Sequence, residues 1–427
     1  MALKLTTEGL RRGGAVLVGL AAGGGLPPWG CAVTKPYINF LDGEFYAASP
    51  LAAYAWLREN APVYYDEASA IWGVTKYDHV REISRHPELF SSANGSRPYT
   101  GAMPMMIDMD APEHVVQRRR VSAGFTPVRV RAMADRIQQV CDAIVDEVCE
   151  QGEAEFVHDV AAQLPLIAIS DLLGVKPEDR ADLLRWSDDM LIAQGSTDET
   201  LLVNMITAFS EYQVYIRGVI AERRATGQDD DLIGILANTE SDGELLDEDM
   251  LIHETLLLLI GGDETTRHVI SGGIDTLLRH PDQFEYLRAN PDATALAVEE
   301  MLRWVTPIKN MNRTVVGDLE FHGAQLRAGE QVLLFYPSAN RDPDKFERPD
   351  EFDVTRSPNE HMAFGFGAHH CLGNQLARLE LRAMVDTVLR RLPDLTVTAA
   401  GPLAERPASF VSGREIETDE RGAPVKL

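Results

Sequence analysis

The sequence predicts a mainly α protein with small β-sheets, a single large helical domain with a minor β-rich region at its side. Three observations carry that expectation. Long stretches hold apolar residues at helical spacing, the few β-like stretches are short and scattered, and from Pro36 onward no repeat, low-complexity linker or charge block marks a boundary. With 45% apolar residues among 427, the chain can bury a substantial core.

Two helical stretches stand out. "TPVRVRAMADRIQQVCDAIVDEVCEQG" keeps its spacing until Gly152, and "LGNQLARLELRAMVDTVLRRLPDL" keeps it until Pro393. The strand candidates are "AIWGVTKY", "DLEFHG" and "QVLLFYP". Residues 1–35 read as a disordered or mis-assigned extension, and 36–427 as the folded domain. Within the extension, "LRRGGAVLVGLAAGGGLPPWG" loosely imitates a twin-arginine export signal. Seven glycines from Gly13 to Gly30 disfavour a helix there, and the stretch is too short to span a bilayer.

A net charge of -26 argues against nucleic acid, whose phosphates need Lys/Arg contacts, and against a basic membrane-binding face. The four cysteines, Cys31, Cys141, Cys149 and Cys371, form no CxxC pair, which disfavours a zinc ribbon or a thioredoxin-type site. On one helix, Cys141 and Cys149 would lie roughly 12 Å apart, too far for a disulfide. A reduced, cytoplasmic protein is the expectation.

The densest chemistry is "FGFGAHHCLG", Phe364 to Gly373. A thiolate without companion cysteines suits one axial position of a haem better than zinc or an iron-sulfur cluster. Gly365 and Gly367 would let this loop pass close to a flat ring, and Gly373 would let the next helix begin tightly. The start of that helix offers Cys371 N–H donors and a positive dipole end, both favouring the thiolate. His369 or His370 could meet a carboxylate of the cofactor. A small buried hydrophobe is the competing reading of a cysteine taken alone. Other motifs fail: Gly365-Phe366-Gly367 has no third glycine for a dinucleotide loop, and His253-Glu254 has no histidine at position 257.

This segment resembles the haem-binding signature of the cytochrome P-450 monooxygenases, and three further segments follow in the family's order, so the resemblance spans about Pro36 to Arg414. "LLLLIGGDETTRHVISGG" looks like the distal helix over the haem. Two glycines inside a helix cost roughly 1 kcal/mol each relative to alanine, and close approach of a flat group to Gly261 and Gly262 would account for them. By the motif Glu264 is the distal acid and Thr265 the alcohol; a Thr bonded back to its own helix beside a solvated Glu is the alternative. "AVEEMLRW" supplies Glu300 and Arg303, and "FERPDEFDVTR" supplies Arg356, which the resemblance assigns to a buried structural lock. "APEHVVQRRR" supplies His114 and Arg118, which with Arg313 and His369 resemble the set that neutralises the haem propionates; a solvated basic helix face is the alternative.

The resemblance implies haem b on Cys371, dioxygen activated on iron with Glu264 and Thr265 delivering protons, and one oxygen atom inserted into a C–H bond. No flavin, nicotinamide or iron-sulfur fingerprint is present, so electrons would come from NAD(P)H through a ferredoxin reductase and a ferredoxin. Arg118, Arg119, Arg120, Arg129 and Arg131 offer a basic patch for an acidic ferredoxin, or simply a solvated stretch. Met103, Met105 and Met106, with Val305, Ile308, Met311, Phe410 and Val411, would line a pocket for a large apolar ligand, or belong to the core. "MIDMDAPEH", "ETLLLLIGGDETTRH", "IKNMNR" and "RPASFVSG" resemble most the actinobacterial branch that hydroxylates the terminal methyl of a sterol side chain, with cholesterol or cholest-4-en-3-one as substrate. A hydroxylase of fatty acids, terpenes or macrolides is the alternative, and a haem-binding sensor or carrier a distant one.

Overall fold

In a computed structural model, residues 35–413 are described apart from 49, 152–153, 194–195, 197, 242–243, 398–404 and 406. The export-like stretch and the rest of residues 1–34 lie outside the described residues.

The first helices are α1 (Gly43–Ala47), α2 (Leu51–Asn60), α3 (Tyr77–Arg85), α4 (Glu113–Ser122), α5 (Pro127–Ala132), α6 (Ala134–Cys149) and α7 (Gln163–Leu173). There follow α8 (Arg180–Ile192), α9 (Glu199–Thr226), α10 (Leu232–Asn238), α11 (Glu248–Leu278), α12 (Pro281–Ala289), α13 (Thr294–Val305), α14 (Tyr336–Ala339) and α15 (Asn374–Arg391). Among the described residues the strands are β1 (Val63–Asp66), β2 (Ile71–Val74), β3 (Phe90–Ser91), β4 (Glu240–Ser241), β5 (Glu244–Leu245), β6 (Asn310–Val315), β7 (Leu319–Phe321), β8 (Ala324–Leu326) and β9 (Gln331–Phe335).

All three strand candidates are strands, and they divide between two sheets. "AIWGVTKY" and "QVLLFYP" become β2 and β9, parallel neighbours with Trp72 opposite Val332, inside a sheet ordered β1-β2-β9-β6-β3. "DLEFHG" becomes β7, paired only with β8. From Thr126 to Glu150 the predicted helical stretch is not one helix but two, and its expected stop at Gly152 lies outside the described residues. Thr126 caps α5, its hydroxyl accepting from the Arg129 N–H, and Pro127 occupies the first turn. Met133 N–H then closes a tight turn onto Val130 O at 3.1 Å, and α6 starts afresh.

The 31-residue α11 is the axis of the fold. Asp247 caps it through bonds to the N–H groups of Asp249 and Met250. Helices α7, α13 and α15 pack along it. Ile169, Ile270, Ile274, Val298, Met301, Leu381 and Val385 share its buried core, each contributing about 1.5–3 kcal/mol when fully buried. A second cluster joins the five-stranded sheet to α3 through Val74, Val80, Ile83, Val332 and Leu334.

Glu300, Arg303 and Arg356 pin the loops around this core. Arg303 donates twice to Glu300, at 2.8 Å each, and Arg356 Nε donates to Glu300 Oε2 at 3.0 Å. Asp353 N–H and Asn359 Nδ2 complete the shell of Glu300. Glu300 and Arg303 are both 0% exposed, so the pairing differs in kind from a surface i,i+3 ion pair.

Candidate active site

The segment from Met362 to Gly373 folds as a compact loop ahead of α15. Gly365 donates to Met362 O at 2.9 Å, His370 to Gly367 O at 3.1 Å and Cys371 to Phe364 O at 2.9 Å. Gly365 and Gly367 hold φ of 68° and 75°, which L side chains rarely adopt. The second glycine has another duty than the one expected of it. A Cβ on Gly367 would stand 2.1 Å from Ser84 O, so this glycine lets the loop press on α3. Gly365 does line the central cavity. Burial pushes the Cys371 thiol up, while the Gly373 N–H and the Arg118 and Arg378 charges draw it down.

Cys371 opens into a cavity of about 310 Å³. Gly261, Gly262, Thr265 and Thr266 of α11 line it, as do Phe364, Gly365 and Gly373 of the cysteine loop. Its apolar walls include Met103, Met105, Met106, Ile308, Met311, Phe410 and Val411. Ile308 and Val411 face each other in a β-bridge, reinforced by Lys309 N–H on Phe410 O and Ser412 N–H on Pro307 O. Val305 is the exception among the expected lining residues. It ends α13 and packs on the main core, while Leu302 before it and, after Thr306 turns the chain at φ 41°, Pro307 and Ile308 line the cavity.

The same cavity collects basic side chains. His114, Arg118, Arg313 and His369 all line it. The His114 and His369 rings lie 4.2 Å apart, Arg118 Nη2 donates to His370 O at 2.6 Å, and Arg313 Nη1 donates to Asn312 O at 2.7 Å. Burial, then Arg313, His114 and Arg118, force His369 down to about 3. Sequence reading missed Arg97, which lines the same cavity, donates to Asn310 O and lies over the Phe410 ring. Its only sequence signal is a lone arginine in the Gly/Ser/Pro-rich "NGSRPY". Among the described residues none of the three arginines is ion-paired to a carboxylate, and His114 Nε2 has no hydrogen-bond partner. Clustered buried cations without anions are costly, so the donor set fits an incoming group bearing carboxylates.

The acid and alcohol of α11 separate. Thr265 lines the cavity, with its hydroxyl donated to Gly261 O at 2.8 Å. Glu264, fully buried, does not line it. Its Oε2 accepts from Arg267 Nη2 at 2.5 Å and lies 3.4 Å from His268 Nε2, and Arg267 continues to Asp188 at 3.0 Å. The two glycines also part company. A Cβ on Gly261 would meet open space, whereas on Gly262 it would stand 2.8 Å from Ile169 Cγ1, so Gly262 serves the contact with α7.

One sulfur, a ring of cations waiting for carboxylates and apolar walls are what a propionate-bearing iron porphyrin requires, and this helical fold with its side sheet is the frame of the haem-thiolate oxygenases. Residues 197–393 match the family described as Cytochrome P450. The chain is 49% identical over 385 residues to the steroid C26-monooxygenase of Mycolicibacterium smegmatis, covering 90% of this chain and 96% of that one. It is 50% identical over 384 residues to a protein of the same description from Mycobacterium tuberculosis, covering 89% and 96%. Among solved structures, CYP109E1 of Bacillus megaterium in complex with testosterone superposes with a TM-score of 0.81 at 32% identity, over 87% of this chain and 97% of that one. This chain belongs to the cytochrome P450 family. It is a haem-b-dependent monooxygenase, thiolate-ligated, that uses dioxygen, external redox partners and a hydrophobic substrate. No described helix is long and apolar enough to cross a membrane.

Proposed function

We propose that this enzyme hydroxylates the terminal methyl of a steroid side chain, cholesterol or cholest-4-en-3-one, with haem held by Cys371 and with reduced ferredoxin as electron donor. The observation that carries the site is the shared cavity of Cys371 and Thr265, walled by methionines and aliphatic side chains. The substrate reading is supported by the relatives described as steroid C26-monooxygenases.

Bound there, haem would supply dioxygen activation, and the Cys371 thiolate would hold it and donate electron density to it. The chain's own residues do the rest. Arg118 and Arg313, joined by Arg97, neutralise the propionates, and His114 and His369, both shifted toward the neutral form by burial, offer ring N–H donors beside them. Phe364, Gly365 and Gly261 leave room for the ring. Thr265 offers a hydroxyl beside the cavity, and Glu264, the neighbouring acid, is the group from which protons would come, held in place by Arg267, which also pairs with the part-exposed Asp188 carboxylate. The apolar walls exclude water and orient the substrate.

Arg118 turns inward to His370 O, so the basic face for a ferredoxin consists of Arg119, Arg120, Arg129 and Arg131 at the ends of α4 and α5. A cytoplasmic location suits the free thiols Cys141 and Cys149. Residues 36–427 constitute the haem domain, and deleting 1–35 should leave haem content unchanged. The experiment is a titration with cholest-4-en-3-one read in the haem spectrum, followed by product identification in a reconstituted reaction with ferredoxin, its reductase and NADH. A spectral shift at micromolar steroid and a single side-chain alcohol are expected. A shift with fatty acids or macrolides and none with steroids would overturn the substrate.

A further inference from the structure

Glu254 lies three turns before Thr265 on α11 and is 0% exposed. Its Oε1 accepts from the backbone N–H of Met106 at 2.6 Å. Met105 and Met106 line the cavity, so this bond ties the cavity wall to the distal helix across 148 residues of sequence. The rest of the loop is held from its own side: Asp108 accepts from Ser96 N–H at 2.7 Å and from Met103 N–H at 3.0 Å. A third element meets the same carboxyl. Gln117, on α4 between His114 and Arg118, approaches Glu254 without closing a bond of ordinary geometry, and Glu254 Oε2 makes no other hydrogen bond. Burial pushes the Glu254 carboxyl up to about 7, with Met106 N–H and Gln117 drawing it down.

A buried acid is costly, and here it satisfies one backbone donor of a loop distant in sequence. The position explains its use. The carboxyl is where the distal helix, the methionine wall and the helix bearing His114 and Arg118 converge. We infer that Glu254 is a positioning residue, a latch that holds the Met105–Met106 wall against α11 and thereby sets which carbon of the substrate faces the reaction centre. This rests on the cavity being the substrate pocket. Glu254 touches neither the cofactor cations nor Thr265, so its loss should affect substrate placement before it affects catalytic rate.

The test uses the haem-loaded full chain. In wild-type protein the Met106 amide should exchange with solvent far more slowly than an unbonded loop amide. Glu254→Leu should speed that exchange, raise the KM for cholest-4-en-3-one about tenfold, as expected for losing one buried hydrogen bond, change kcat less than about threefold, and yield more than one hydroxylated product. Glu254→Gln, which keeps an oxygen acceptor, should restore exchange protection and the single product. Fast exchange at Met106 in the wild type, or a Glu254→Leu enzyme with an unchanged product ratio, would overturn the latch. If Glu254→Leu does not fold, the wild-type exchange measurement still decides. Should wild-type protein ignore steroids while Met106 stays protected, the substrate reading has failed and the latch has not.

Discussion

Glu264 and Arg267 form a buried ion pair one turn apart on α11, Oε2 to Nη2 at 2.5 Å, and Arg267 extends it to Asp188, whose side chain is 39% exposed. The acid beside Thr265 is therefore tied into an ion-pair chain that reaches the surface, and of the two residues only Thr265 lines the cavity. In Thr265→Ala, steroid binding and the thiolate spectrum should persist, because neither depends on that hydroxyl. Product should fall far more than NADH consumption does, with the electrons appearing as hydrogen peroxide; loss of a positioned proton donor typically costs roughly 10²- to 10⁴-fold. Glu264→Gln should slow turnover and raise its solvent isotope effect. Full coupling in Thr265→Ala would make the pair structural.

Cys371 is the test of the cofactor assignment. The reduced carbon monoxide complex should absorb at the long-wavelength position of thiolate haem, and Cys371→His should lose that band while keeping some bound haem. Retention of the band in the histidine variant would refute the ligand.

Glu300→Ala should be among the most damaging changes in the chain. It strips the partner from Arg303 and Arg356, both buried, and breaking a buried pair from one side costs about 3–5 kcal/mol. The expected result is haem-free, insoluble protein, or a large fall in melting temperature.

Glu299 gives a pH dependence with a definite sign. Burial pushes its carboxyl up, but the bonds from Arg378 at 2.7 and 2.8 Å and the contact with His361 outweigh that and hold it at about 2. Unfolded, a glutamate titrates near about 4.3. The folded value is the lower one, so this contribution is fully present above about pH 4.3 and is lost as pH falls toward about 2. Because Arg378 belongs to α15, just after the cysteine loop, haem release should accompany the loss. Urea unfolding should show Glu299→Gln less stable than wild type at neutral pH, with the gap closing through that acid window; a constant gap would contradict the pairing.

Gly261→Ala and Gly262→Ala should diverge although both sit in one helix. Alanine gains about 1 kcal/mol of helix propensity over glycine. At Gly261 the methyl meets open space and should raise melting temperature while weakening ligand binding from inside the cavity. At Gly262 it meets Ile169 at 2.8 Å and should lower melting temperature. Equal effects on both properties would mean the α7 contact is looser than described.

What the sequence determined by itself is whatever lies in contact along a short run of chain. The cysteine loop and the extent of α15, the existence of a long helix through Gly261 and Gly262, and the meeting of Glu300 with Arg303 follow from turn chemistry and helical spacing, which act over three or four residues. Arg356 and the donor set His114, Arg118, Arg313 and His369 came with the family resemblance rather than with spacing. Tertiary structure alone decided the rest. It turned Glu264 from the cavity to Arg267 and Asp188, gave Gly262 and Gly367 to neighbouring helices, left Val305 in the core, split α5 from α6 at Met133, brought Arg97 into the cavity and set Glu254 behind its methionine wall. The physical reason is sequence separation. Met106 and Glu254 are 148 residues apart, and no local pattern in either segment encodes a bond that exists only once α11 and the methionine loop have packed.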